Sequence, residues 1–421
     1  MRVGRAIRLP LSGARRGVAQ IALGTVVGQG VVILVAPLTS RLYEPADFAV
    51  LQVFTGLVAI GAVVASLRLE LAIPLARTGL EARAVFRVGV ISLVAIASAI
   101  GVVGLVTAPY WAYGHTLRTL RALWWLVPLT VAILAVYQLI SAAWLRAEQY
   151  DALAGRNAIQ GIGAATGQVM FGVAGMGALG LMLALALGRL AAAIPVRGER
   201  PLFGETEKPS PAQMRAALAR YRKFPLVTTW SAFLNNAAQW APAFVFPLTY
   251  GAAAAGWLAF TMRLLSVPIT VIGQSVAQVF IGRGAAAQRT DSGQLPRLTW
   301  LAVRRLALVG APPALLLAIA APWAFGVIFG SAWEQSGLYA RVLAVAFFVQ
   351  FVGNPIGNVF NLAERPAIGL VWDACRLVLA IAAPTVVWML GGSDVAGVAA
   401  YAGVLVFSYV GVLGLAWWVL R

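Results

Sequence analysis

Arg263, Ser266, Thr270, Gln274 and Gln278 recur at intervals of three and four residues inside one long apolar stretch, near residues 254–281. At helical spacing they fall within roughly 120° of one another, so they form a single polar stripe. A guanidinium inside a membrane span is costly and faces a bundle interior or a watery cavity. No carboxylate shares its helix, so Arg263 must find a partner elsewhere, and an anionic substrate is one candidate. Gln350, Asn354, Asn358 and Asn361 form a narrower stripe of roughly 80°, and Asn235 and Gln239 repeat the pattern at i and i+4 on a third helix. Any one amide reads first as glue between helices, worth about 1 kcal/mol. The Arg263 stripe taken whole reads as the wall of a cavity.

Two charged pairs stand beside these stripes. Asp373 and Arg376 are three residues apart on one span and can neutralise each other. Their functional alternatives are a proton-coupling carboxylate for Asp373 and a substrate contact for Arg376. Arg68 and Glu70, just past the second span, allow the same two readings at the cytoplasmic rim. A single histidine and a single cysteine, His115 and Cys375, exclude an internal disulfide and make a zinc or His-based catalytic centre improbable. No phosphate-cradling glycine loop, HExxH or usefully spaced carboxylate pair occurs, so neither ATP hydrolysis nor other enzymatic chemistry is expected, and neither metal nor cofactor is implied.

The elements that must position these residues follow from composition. The 421-residue chain is 61% hydrophobic and 11% charged, against roughly 25% charged in soluble domains. It reads as an all-α polytopic membrane protein. Stretches of about 20 apolar residues predict twelve transmembrane helices. The first six lie near 18–39, 48–67, 85–108, 123–145, 157–174 and 177–196, and the second six near 224–249, 254–281, 300–328, 338–361, 367–390 and 395–419. The net charge of +18 is a topology signal rather than a nucleic-acid patch, because the arginines crowd the tails and alternate loops. The opposite side carries Arg41, Arg118 and Arg121 alone, which predicts that both termini are cytoplasmic.

A polar, basic segment, about 197–223, divides the chain almost in half, giving an N-terminal six-helix lobe (1–196), a cytoplasmic linker (197–223) and a C-terminal six-helix lobe (224–421). The linker suits anionic headgroups. A faint internal echo links Pro37-Leu38-Thr39 with Pro247-Leu248-Thr249, as expected for a parallel repeat of two six-helix units. Gly24 with Gly28, and Gly353 with Gly357, have the spacing that lets helices approach closely.

The run from Ala36 to Phe48 (APLTSRLYEPADF), closing with Arg68-Leu69-Glu70-Leu71-Ala72-Ile73, resembles the bacterial polysaccharide transport family. These are repeat-unit flippases of the multidrug/oligosaccharidyl-lipid/polysaccharide (MOP) superfamily. The likeness continues at Tyr221-Arg222-Lys223-Phe224-Pro225, Leu234-Asn235, Arg263-Leu264-Leu265, Gln274 to Phe280, Phe329-Gly330-Ser331-Ala332-Trp333 and Trp372-Asp373 before Arg376. It implies two six-helix lobes around a central cavity in the bacterial inner membrane. It further implies transfer of an undecaprenyl-diphosphate-linked oligosaccharide between leaflets, for O-antigen, capsule or exopolysaccharide assembly, with a polysaccharide polymerase and chain-length proteins as partners. On that reading Arg263 contacts the diphosphate, Arg376 assists, and Asn235, Gln239, Gln274, Gln278, Gln350, Asn354 and Asn358 meet sugar. A drug or metabolite antiporter of the same superfamily is the alternative within transport. A membrane glycan polymerase or ligase, or a scaffold for assembly partners, is the alternative outside it.

Overall fold

The computed structural model describes residues 11–111, 113–193, 208–269, 294–356 and 366–419. Each expected span overlaps a helix or helix pair among the described residues, while 194–196, 270–281 and 357–361 of the expected spans lie outside them. The first half comprises α1 (Leu11–Leu34), α2 (Ala36–Leu42), α3 (Pro45–Ala65), α4 (Gly79–Thr107), α5 (Gly114–Ala122), α6 (Leu126–Arg146), α7 (Tyr150–Val173) and α8 (Gly177–Ala193). A short α9 (Pro211–Arg220) leads to the second half: α10 (Thr229–Thr249), α11 (Gly251–Pro268), α12 (Gln294–Phe329), α13 (Glu334–Ile356), α14 (Pro366–Met389) and α15 (Asp394–Val419).

Local chemistry sets several boundaries. Pro37 opens α2, and the α1–α2 pair bends by 42°, so the first expected span is a broken one. The third begins at residue 79 rather than 85, because Thr78 caps it by accepting from the Glu81 N–H at 3.1 Å. Ser210 and Gln213 exchange the reciprocal bonds of a capping box at the start of α9. Phe224–Thr228, around Pro225, is a π-helical turn ahead of α10.

Among the described residues, seven helices are long and apolar enough to cross a membrane, or up to eight with the bent pair. Polar groups explain part of the difference from twelve: α7 carries Asn157, Gln160 and Gln168, α10 carries Asn235 and Gln239, and α11 carries Arg263. These helices turn polar side chains toward an interior hollow, which lowers their mean hydropathy.

Small residues fix how the helices meet. A Cβ at Gly24 would lie 2.2 Å from the Ala154 carbonyl oxygen, and one at Gly161 would lie 2.3 Å from the Gly28 Cα, so α1 and α7 touch backbone to backbone. The expected Gly24/Gly28 seam is present. Gly353 packs on Tyr409 of α15, with Tyr409 atoms 3.1 Å from where a Cβ would stand. Across the halves, α3 packs on α10 and α11. At Gly256 the Pro45 carbonyl would be 1.7 Å from a Cβ, so only glycine admits this crossing. The matching tripeptides sit differently, Pro37-Leu38-Thr39 in the first turn of α2 and Pro247-Leu248-Thr249 at the end of α10, but in each the threonine hydroxyl donates back along its own helix, Thr39 to the Ala36 carbonyl and Thr249 to that of Val245, both at 3.0 Å.

Candidate functional site, a cationic cavity between the two halves

The site is assembled from both halves. Thr25 and Gln29 (α1), Gln52 and Thr55 (α3), Asn157, Gln160 and Gln168 (α7), Arg189 (α8), Gln239 (α10), and Arg263 and Ser266 (α11) line a cavity of about 560 Å³. Among the described residues its lining holds two guanidinium groups and no carboxylate. Arg263 donates from Nη2 to Gln168 Oε1 at 2.9 Å and lies 5.9 Å from the Phe48 ring centroid. Among the described residues it has no carboxylate partner. Gln168 is 2% exposed, and its backbone carbonyl accepts from the Tyr43 hydroxyl at 2.6 Å, so the neutral partner of Arg263 is itself held firmly in place.

The first-half wall is a connected polar surface. Asn157 Nδ2 donates to Thr25 Oγ1 and the Tyr137 hydroxyl donates to Asn157 Oδ1, each at 3.0 Å. Two arginines nearby behave oppositely. Arg156, 3% exposed, is fully engaged: it donates to the Ala192 carbonyl (2.7 Å), Ser141 Oγ (2.8 Å) and the Tyr137 carbonyl (3.1 Å), and lies over the rings of Tyr137 and Trp144. Arg189 lines the cavity with Nε and Nη1 buried and without a hydrogen-bond partner.

Aromatic rings drawn from both halves pack together beside Arg263, on the side of Phe48. Phe48 meets Phe260 and Trp333 edge-on, each at 5.2 Å between centroids, and Phe260 meets Phe329 at 5.0 Å. Edge-to-face contacts of this kind add about 0.5–1.5 kcal/mol each beyond burial.

The remaining expected site residues separate into two groups. Asn235, Gln239, Gln350, Asn354 and Arg376 line a second hollow of about 260 Å³ inside the second half, which shares Gln239, Met262 and Ser266 with the first. There Gln350 donates to the Tyr409 hydroxyl at 3.1 Å. Asp373 accepts from Arg376 Nη2 at 3.2 Å on one oxygen and from Asn235 Nδ2 at 3.0 Å on the other. The pair expected from spacing therefore forms. Arg68 and Glu70 pair at 3.3 Å, with Glu70 8% exposed, and line neither hollow. Gln274, Gln278 and Asn358, with Thr270 and Asn361, lie outside the described residues. Sequence reasoning passed over the first-half wall, although Thr25/Gln29, Asn157/Gln160 and Gln52/Thr55 carry the same helical spacing that marked the second half.

Residues 38–337 match the family model described as polysaccharide biosynthesis protein. The chain belongs to that family. No curated protein sequence matches. Among solved structures, the family member resembles an inward-facing multidrug resistance MATE family transporter of the MOP superfamily, at a TM-score of 0.72 and 13% identity, over 94% of this chain and 93% of that one. It also resembles the lipid II flippase MurJ in an inward closed conformation, at 0.74 and 9% identity, over 95% and 87%. A third is a MOP superfamily transporter from Pyrococcus furiosus noted for reversed binding-pocket polarity, at 0.63 and 14% identity, over 96% and 95%. At these identities the likeness establishes the fold: a multi-pass MOP-type helical membrane protein.

Proposed function

We propose that this family member is a flippase that carries an undecaprenyl-diphosphate-linked oligosaccharide from the cytoplasmic to the outer leaflet of a bacterial inner membrane. One observation carries the reading: Arg263 faces a cavity between the halves, hydrogen-bonded to a neutral amide and, among the described residues, without a carboxylate. A guanidinium so placed suits a diphosphate, which it can grip through paired, charge-assisted bonds. The surrounding amides suit sugar hydroxyls. Residues 1–196 and 224–421 act as the two moving bodies, with 197–223 as the cytoplasmic linker and both termini cytoplasmic. In that orientation the aromatic cluster seals the outer end and the cavity belongs to an inward-directed state, as alternating access requires.

Asp373 has both carboxylate oxygens occupied, which supports a bracing role for it beside Arg376, and any coupling to protons or sodium would have to break that ion pair. The MATE likeness raises the drug antiporter as a second reading. The cationic, carboxylate-free lining opposes it, since cationic drugs would be repelled. The deciding experiment reconstitutes the protein in liposomes with a fluorescent polyprenyl-diphosphate oligosaccharide and measures how much becomes accessible to a membrane-impermeant reagent. Wild type should transfer the lipid and Arg263→Ala should lose at least tenfold in rate. Transfer of cationic drugs driven by an ion gradient, with none of the lipid, would replace this reading by the antiporter.

A further inference from the structure

Arg189 is the strongest unused group in the molecule. Its Nε and Nη1 are buried without a partner, whereas Arg156 on the neighbouring helix, which reaches the Ala192 carbonyl within one turn of Arg189, satisfies each of its nitrogens. An unpaired buried guanidinium costs several kcal/mol of desolvation, so its retention at a cavity wall points to a ligand.

Its position says which part of the ligand. Gly188 packs against the backbone of α7 at Gln160 and Ala164, with atoms of both within 3 Å of where a Cβ would stand, so Arg189 sits level with that part of α7. Arg263 bonds to Gln168, four to eight residues further along the same helix, a rise of about 6–12 Å. Both α8 and α11 start beside the first turn of α3, Gly177 against Asp47 and Gly256 against Pro45, so both side chains lean the same way and the offset persists. Arg263 also borders a small apolar pocket between α1 and α11, lined in part by Val32, Ile33, Leu264 and Val267, while Arg189 borders the main cavity. A headgroup whose diphosphate rests at Arg263, beside the apolar seam, would run its sugars past Gln168, Gln160 and Asn157 toward Arg189.

We infer that Arg189 recognises an acidic substituent on the glycan, a sugar carboxylate one to three residues removed from the diphosphate, and that the cargo is therefore an acidic oligosaccharide. This inference rests on the flippase reading and adds the charge of the sugar to it.

The test measures binding of purified full-length protein to two synthetic short-chain polyprenyl-diphosphate trisaccharides, identical except that one carries hexuronic acids at its second and third sugars and the other the neutral hexoses. Wild type should bind the acidic form at least tenfold more tightly. Arg189→Gln should bring the acidic-to-neutral ratio to about one, Arg189→Lys should keep it above one, and Arg263→Gln should weaken both ligands while keeping the ratio. Equal binding of both by wild type overturns the inference and leaves the flippase reading intact. So does an Arg189→Gln variant that loses the same factor for each ligand, which would place Arg189 on the diphosphate. Failure of wild type to bind either ligand removes the flippase reading and this inference together.

Discussion

The indole Nε1 of Trp333 donates to the backbone carbonyl of Ser40 at 2.8 Å, while the Ser40 hydroxyl donates to the Phe329 carbonyl at 3.0 Å. These two bonds join α2 of the first half to the α12–α13 junction of the second, directly behind the ring cluster of Phe48, Phe260 and Phe329. An end of the bundle closed this way must open if cargo leaves through it, so the closure should be a separable structural unit.

Trp333→Ala removes the largest ring of that seal together with the bond to Ser40, at a cost of about 3–5 kcal/mol to the closed state. The open state should gain population accordingly. The measurement uses a cysteine at Gln52, on the cavity wall, in a Cys375→Ser background, with a membrane-impermeant maleimide added to intact cells. Labelling should be low with Trp333 present and rise severalfold with Trp333→Ala. Equal labelling in both would show that the seal does not govern access from that side.

The buried arginines should separate stability from function. Arg156 holds three acceptors and two aromatic faces, so Arg156→Ala should destabilise by about 3 kcal/mol or more, since each buried acceptor left unsatisfied costs about 1–3 kcal/mol. Arg263 has a single neutral partner, so Arg263→Ala should leave the thermal midpoint unchanged or raise it while transport falls, as happens where a site stores unfavourable electrostatics for function. Melting curves in detergent, read beside transport rates, check both. Arg263→Ala unfolding as readily as Arg156→Ala would mean that Arg263 is a structural residue.

The uneven legibility of these arginines has a physical cause. Arg263 was visible in the sequence because it falls in the middle of a long apolar run, with Ser266 one turn on. Arg189 was not, because it lies near the end of its span, where an arginine ordinarily extends to the interface. Only the packing of Gly188 on α7 turns it inward. The all-helical membrane fold was readable from apolar length, which marks seven or eight of the described helices as long enough to cross a membrane, and the Gly24/Gly28 seam and the Asp373–Arg376 pair from spacing. The aromatic seal was unreadable. Phe48, Phe260, Phe329 and Trp333 come from distant stretches, and nothing in local pattern announces that they meet. The first-half wall is an intermediate case, since Asn157, Gln160 and Gln168 share a face but carry no charge to single them out.

The α1–α7 seam gives a steric prediction. Because a Cβ at Gly161 would stand 2.3–2.4 Å from backbone atoms of Gly28, Gly161→Leu must push α1 away from α7, since backbone cannot yield as a side-chain tip can. Overpacking of this kind costs about 1–3 kcal/mol or more. It should also break the Asn157–Thr25 hydrogen bond beside it. Gly30→Ala on α1 is the control, as nothing lies within 4 Å of a Cβ there. Size-exclusion profiles and thermal midpoints should fall for Gly161→Leu and stay unchanged for Gly30→Ala.

Asp373 and Arg376 form the one polar cluster whose structural and coupling roles can be separated by a mutant cycle. If the pair braces α14 against α10 through Asn235, Asp373→Ala and Arg376→Ala each leave a lone charge inside the second half and should destabilise by about 3–5 kcal/mol, while the double variant recovers most of that loss. A coupling carboxylate would act differently. Asp373→Asn would abolish ion-driven transport with little change in stability, and removing Arg376 as well would restore nothing. Melting and transport measured on all of these variants decide between them, and the occupied oxygens of Asp373 favour the brace.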